Sequence, residues 1–187
     1  MEIINNTKTH KKLVLWLTGL SGSGKSSLAE VVVRRLRDQG HAVVLLDGDA
    51  LREVFYDDIS QDLAYNRRHR LMLAMKYARL CRMLVEQGLI VVIATISLFK
   101  EVHSWNRINL PGYFEVYLKV PLEELRLRDT KGIYRRFDSG ELTYVAGLDV
   151  AIDEPVNADW APVFLHARSV EILADELFGV LKIKEIL

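Results

Sequence analysis

The plainest chemistry in this chain sits at residues 19–27. Gly19-Leu20-Ser21-Gly22-Ser23-Gly24-Lys25-Ser26 fits G-x-x-x-x-G-K-[ST] at every fixed position, and Ser27 follows. Glycines let a backbone curl so that successive N–H groups face inward, where they and a following helix N-terminus bind phosphate oxygens. Lys25 adds a point charge at the β- and γ-phosphates of a nucleotide. The Ser26 hydroxyl is a hard oxygen suited to Mg²⁺. A chance match of this length arises in about one chain in a hundred of this size. A strand before the loop and a helix after it make chance rarer still.

A second group follows at Leu46-Asp47-Gly48-Asp49 and Leu51-Arg52. Two carboxylates beside a phosphate loop suit a base and a Mg²⁺-side ligand. Asp47 takes that role in this reading, and Asp49 with Arg52 faces the acceptor. A strand that merely ends in a D-G turn is the plain alternative. A switch GTPase would also need a guanine-reading N-K-x-D after a later strand, and the sequence has none. Asp129-Thr130-Lys131-Gly132 reads D-x-x-G, but it follows the helical stretch Leu122 to Arg128 rather than a strand.

These groups need a frame. LVLWLT (Leu13 to Thr18), AVVLLD (Ala42 to Asp47), LIVVIAT (Leu89 to Thr95) and FEVYLKV (Phe114 to Val120) read as buried strands, with VFLH (Val163 to His166) as a short fifth. Helical patterns run from Lys25 to Gln39, from Leu63 to Gln87 and from about Val170. The long one aligns Leu71, Ala74, Met75, Ala78 and Cys81 on one face. Continuous apolar strands separated by helices predict a parallel sheet covered on both faces, an α/β/α sandwich of about five strands. Ligands on such a sheet bind at the carboxyl ends of the strands, where both polar groups lie.

Composition narrows the function classes. The chain has 187 residues, 50% of them hydrophobic, which predicts one folded domain over 1–187. Lys plus Arg and Asp plus Glu each number 25, so the basic excess of a nucleic-acid binder is missing. One cysteine, Cys81, allows no disulfide within the chain. His10, His41, His69, His103 and His166 show no metal-ligand spacing. The polar start lacks the apolar region of a signal peptide, and no run approaches the ~20 residues a membrane span needs. A soluble cytoplasmic protein is expected, without membrane or nucleic-acid partners. Trp105 is assigned to packing, and Arg107 is a weak candidate for an acceptor phosphate.

Taken together, GLSGSGKSS (Gly19 to Ser27), LDGDALR (Leu46 to Arg52), ATISLF (Ala94 to Phe99), FEVYLKVPLEE (Phe114 to Glu124), RDTKGIYRRFDSGEL (Arg128 to Leu142) and AGLD (Ala146 to Asp149) resemble the adenylylsulfate (APS) kinase family. The resemblance covers about Leu13 to Leu148. It implies a P-loop kinase that transfers the γ-phosphoryl of ATP to the 3′-hydroxyl of adenylylsulfate, in sulfate activation, with Mg²⁺ as cofactor and a homodimer as assembly. It places Gly19, Ser21, Gly22, Ser23, Gly24, Lys25, Ser26, Ser27 and Arg128 on ATP, and Ser26 with Asp47 on Mg²⁺. Lys25 and Asp47 would be the catalytic pair. Asp49, Arg52, Arg67, Arg70, Ile96, Ser97 and Lys131 would hold the acceptor. Residues of about 128–147 would form a lid, which their polar, basic and glycine-containing sequence suits.

The departures fall on the acceptor side. The family's phenylalanine before the long helix is missing from YDDISQDL (Tyr56 to Leu63), and its F-T-G is Val145-Ala146-Gly147 here. Those two rings, in the family pattern, sandwich the adenine of APS, at roughly 1–3 kcal/mol per stacked base. Tyr65 and Tyr144 are possible replacements. The family's D-R-x-x-N is Tyr65-Asn66-Arg67-Arg68-His69-Arg70, with Arg67 or a neighbour in the arginine's place. The same kinase chemistry on another nucleotide conjugate, such as cytidine diphosphoramidate, is therefore the alternative. A non-catalytic nucleotide sensor is a weaker one, since it would not need the D-G-D pair and the lid lysine.

Overall fold

The computed structural model describes residues 12–55, 66–166 and 168–186. Four strands form one sheet: β1 (Val14–Thr18), β2 (Val43–Asp47), β3 (Ile90–Ala94) and β4 (Tyr113–Tyr117). Their order is β2-β3-β1-β4 and every pairing is parallel. The helices are α1 (Lys25–Asp38), α2 (Gly48–Phe55), α3 (Arg67–Glu86), α4 (Lys100–Asn109), α5 (Leu122–Arg128), α6 (Ile133–Asp138) and α7 (Val170–Ile183).

Strand alternation divides the core in two. Leu13, Leu15 and Leu17 join Ile90, Val92 and Ala94 on the face covered by α1 and α7. Val14 and Trp16 join Val91 and Ile93 on the face covered by α3 and α4. The central strands β1 and β3 are buried along their whole length, as expected of parallel strands covered on both faces. Cys81 lies fully buried on α3 within the second cluster, and Trp105 packs against the same cluster. Ser169 caps α7 by accepting from the Ile172 N–H at 3.3 Å.

One expectation changes. The fifth strand is absent at Val163 to His166, where Val163 is 75% exposed. In its place Trp160 makes a single parallel bridge to Val116 beside β4. Pro162 follows at once and has no N–H to extend that ladder. After β2 the chain passes directly into α2, so the D-G turn of the plain alternative is not formed. The stretch Tyr56 to Leu63, and Tyr65, lie outside the described residues. Among the described residues, no helix is long and apolar enough to cross a membrane.

Candidate functional site

Because all four strands run the same way, the segments after β1, β2 and β3 emerge along one edge of the sheet. They line a cavity of about 610 Å³. The loop after β1 supplies Ser21, Gly22, Gly24, Lys25, Ser26 and Ser27. Gly19 and Ser23 stand behind this lining. A Cβ on Gly19 would lie 2.6 Å from the Leu118 carbonyl and 2.8 Å from Ser23 Oγ, so the close pass of the loop over the end of β4 requires glycine there. Gly24 has φ +92° and precedes the first turn of α1, where N–H groups lack partners within the helix.

Lys25 folds back over the loop. Its Nζ donates to the Leu20 carbonyl at 2.7 Å and to Ser23 Oγ at 3.3 Å. Burial, with the nearby charge of Lys131, lowers its pKa from the ordinary 10.5 to about 8, against the pull of Asp49 and Asp47. Ser26 Oγ donates to Asp47 Oδ2 at 2.7 Å, which brings two hard oxygens together at the cavity wall. Asp47 Oδ1 accepts from the Asp49 N–H at 2.9 Å and so fixes the first turn of α2. Asp49 also meets Lys131 from the opposite side of the cavity. Desolvation works against its ionised form, but Lys131, Arg52 and Lys25 hold its carboxyl below the usual range.

Lys25, Arg52, Arg70, Arg128, Lys131 and Arg136 line the cavity with two carboxylates, Asp47 and Asp49. A chain with zero formal net charge has thus gathered cations at one place, an arrangement that attracts polyanionic ligands. Ile96 also lines it, while Ser97 lies in an adjoining recess shared with Arg52 and Arg70. Ser97 is buried at φ +29° and exchanges a 2.8 Å hydrogen bond with Thr95.

The two arginines at the start of α3 part company. Arg70 reaches the cavity and donates to the Tyr144 carbonyl at 2.7 Å. Arg67 is not brought into the lining. Its guanidinium pairs with Asp153 at 2.9 Å and lies over the Phe99 ring at 5.3 Å. Helical geometry explains the split, because residues three apart lie on one side yet differ in azimuth by about 60°. Arg107 likewise serves structure. It pairs with Asp159 at 2.6 Å and Glu115 at 3.3 Å, outside the lining.

The segment from Arg128 to Gly147 closes the far wall. Asp129 accepts from the N–H groups of Tyr134 and Arg135 and so starts α6. Arg128 is held by Glu124 at 2.8 Å and lies over the Phe164 ring at 5.2 Å. Leu142, Thr143, Tyr144, Val145 and Ala146, all within the segment expected as a lid, also line the cavity, though the sequence points to a binding role only at Tyr144. That position carries a local signal. Tyr144 has φ +61°, rare for an aromatic residue, and its N–H donates to Asp149 Oδ2 at 2.7 Å.

Three comparisons bear on this site. The model of the adenylylsulphate kinase family matches residues 11–161. The cytidine diphosphoramidate kinase of Campylobacter jejuni is 37% identical over 142 residues, covering 76% of this chain and 81% of that one. An adenylyl-sulfate kinase of Bacillus velezensis is 38% identical over 148 residues, covering 78% and 73%. The structure of the Mycobacterium tuberculosis APS kinase in complex with AMPPNP and APS superposes with a TM-score of 0.81 at 30% identity, covering 92% of this chain and 98% of that one.

Proposed function

Since the chain belongs to the adenylylsulphate kinase family and is an ATP-dependent kinase, we propose that it phosphorylates the 3′-hydroxyl of a nucleotide conjugate, with adenylylsulfate as the first reading. The observation that carries this is one cationic cavity lined together by the phosphate loop and by Asp47, Asp49, Arg52 and Arg70. The loop amides and Lys25 hold the β- and γ-phosphates of ATP, and Arg128 belongs to the same donor half. Lys25 neutralises charge that shifts toward the leaving oxygen. Asp47 orients the acceptor hydroxyl and takes its proton. Asp49, Arg52, Arg70, Ile96 and Ser97 position the acceptor, and Lys131 arrives from the lid, residues of about 128–147. Lid closure excludes water, which would otherwise compete as the phosphoryl acceptor.

Ser26 and Asp47 fit a Mg²⁺ site. Both present oxygen, and a nucleotide-borne Mg²⁺ needs few protein ligands because phosphates and waters fill the rest of its shell. Bound there, the ion would neutralise phosphate charge.

A second reading, cytidine diphosphoramidate as acceptor, is favoured by the wall at Val145 and Ala146. Both are nearly buried and neither offers a ring. Tyr144 and Arg70 stand beside them, and the Campylobacter jejuni relative bears that substrate's name. The test is ADP release in a coupled assay with ATP, Mg²⁺ and micromolar adenylylsulfate, with cytidine diphosphoramidate alongside. Turnover with adenylylsulfate at the higher kcat/KM supports the first reading, and the reverse order replaces it with the second. ADP release with neither acceptor overturns both. The homodimer is part of the proposal, and sedimentation at assay concentration checks it.

A further inference from the structure

Tyr134 lies behind the phosphate loop rather than in the cavity. It sits on α6, inside the lid segment, and is 2% exposed. Its neighbours Ile133 and Arg136 line the cavity and it does not. Its phenolic O–H donates to the Ser21 carbonyl at 2.9 Å, across 113 residues of sequence. The carbonyl of Ser21 and the N–H of Gly22 belong to one peptide unit. In a trans peptide they point in opposite directions. A donor that holds the carbonyl from behind therefore turns the Gly22 N–H away from Tyr134, and Gly22 does line the cavity. Leu125, fully buried on α5, backs the same glycine, with its side chain 3.7 Å from where a Cβ would stand.

A second contact ties the other end of the segment to the same loop. Gly147 has φ +83°, and a Cβ there would lie 2.9 Å from the Leu20 side chain. The segment is therefore fastened to the loop at Ser21 and packed against it at Leu20. Burial, helped by the charge of Asp129, pushes the Tyr134 phenol up to about 12, so it stays a donor across the working pH range.

We propose that Tyr134 is a positioning residue, which aims the Gly22 N–H at the donor phosphates and couples the lid to the phosphate loop. This rests on the reading of that loop as the ATP site. Occupancy of the loop and order in the lid then rise together.

Tyr134→Phe keeps the ring and removes the hydroxyl. Binding of a non-hydrolysable ATP analogue is measured by calorimetry without acceptor, together with amide hydrogen exchange. The variant should bind the analogue about fivefold more weakly, equivalent to about 1 kcal/mol. Amides of the loop and of α6 should exchange faster, with the melting temperature within a degree or two of the parent. In the unaltered protein, the analogue should slow exchange in α6 as well as in the loop. Unchanged affinity in Tyr134→Phe, or an analogue that protects the loop but leaves α6 exchanging as before, would overturn the proposal. Should the unaltered protein fail to bind the analogue, the donor site itself would fall, a result distinct from either of these.

Discussion

The two halves of the cavity are built on different principles. In the proposed reading the donor half centres on one run of chain, residues 19–27, with Arg128 added from outside it, and its chemistry is mostly backbone. Its N–H groups are held by strand, glycine turn and helix, so its geometry survives changes in most neighbouring side chains. The proposed acceptor half is assembled from cavity-lining side chains on α2, on α3, after β3 and from residues 142–146. Each reaches the cavity from a separate element. Such a half can change its ligand by exchanging a few residues while the donor half stays as it is. The relatives fit this contrast, since proteins of similar identity bear the names of kinases for two acceptors.

Removing the charges nearest the transferred phosphoryl group, where the two halves meet, should give the largest effects. Lys25→Ala should lower kcat about 10²–10³-fold, as loss of a transition-state donor does. Asp47→Asn should cost about 10²–10⁴-fold as a lost base and orienting group. Both are read as ADP release from protein with an unchanged melting curve. Activity that survives Asp47→Asn would remove it from the role of base.

The next effect separates the halves. Arg70→Ala should raise the acceptor KM about tenfold or more, as expected for a lost hydrogen bond to a charged group at about 1.5–3 kcal/mol. The KM for ATP should stay within twofold. A comparable rise in both would mean that the halves are not independent.

A pH series tests the donor half alone. ATP stabilises the charged form of Lys25, whose pKa is about 8 in the free protein. Binding must therefore take up a proton above that pH, and ATP affinity should be about tenfold weaker at pH 9 than at pH 7. The sign for folding is opposite. The unfolded chain binds this proton up to its ordinary 10.5, so the contribution of Lys25 to stability of the free protein rises between about pH 8 and 10.5. Calorimetry in buffers of different ionisation enthalpy measures the uptake directly.

Arg67→Ala should show the smallest effect. Its partner Asp153 is 34% exposed, and such pairs contribute about 0–1 kcal/mol. Kinetic constants should move less than twofold while the melting temperature falls slightly. A large rise in acceptor KM would place Arg67 in the site after all.

The same contrast explains what the sequence made legible. The parallel sheet was readable because its strands are continuous apolar runs, and the donor loop because fixed spacing within one turn is its chemistry. Asp47, Asp49 and Arg52 could be picked out as cavity residues because Asp47 ends a strand and the other two follow it on the next helix. Arg70 and Arg67 could not be ranked, since which of them enters the cavity depends on the rotation of α3, and that is set by packing of Leu73, Tyr77 and Cys81. Thr143 lacks any local pattern, and its place in the site follows from how residues 142–146 return to the cavity. The fifth strand failed because apolar composition at Val163 to His166 does not by itself supply a ladder.

Cys81 has a practical consequence. It is the chain's single cysteine, and burial raises its thiol far above the ordinary range, so it is slow toward alkylating dyes in the folded protein. Ser139, at the end of α6, is exposed. In Ser139→Cys the new thiol would be the fast-reacting one, and a dye there would report on the lid segment with no background to remove. Movement of the proposed lid could then be followed in real time as ATP, acceptor or both are added to a protein that is otherwise unaltered.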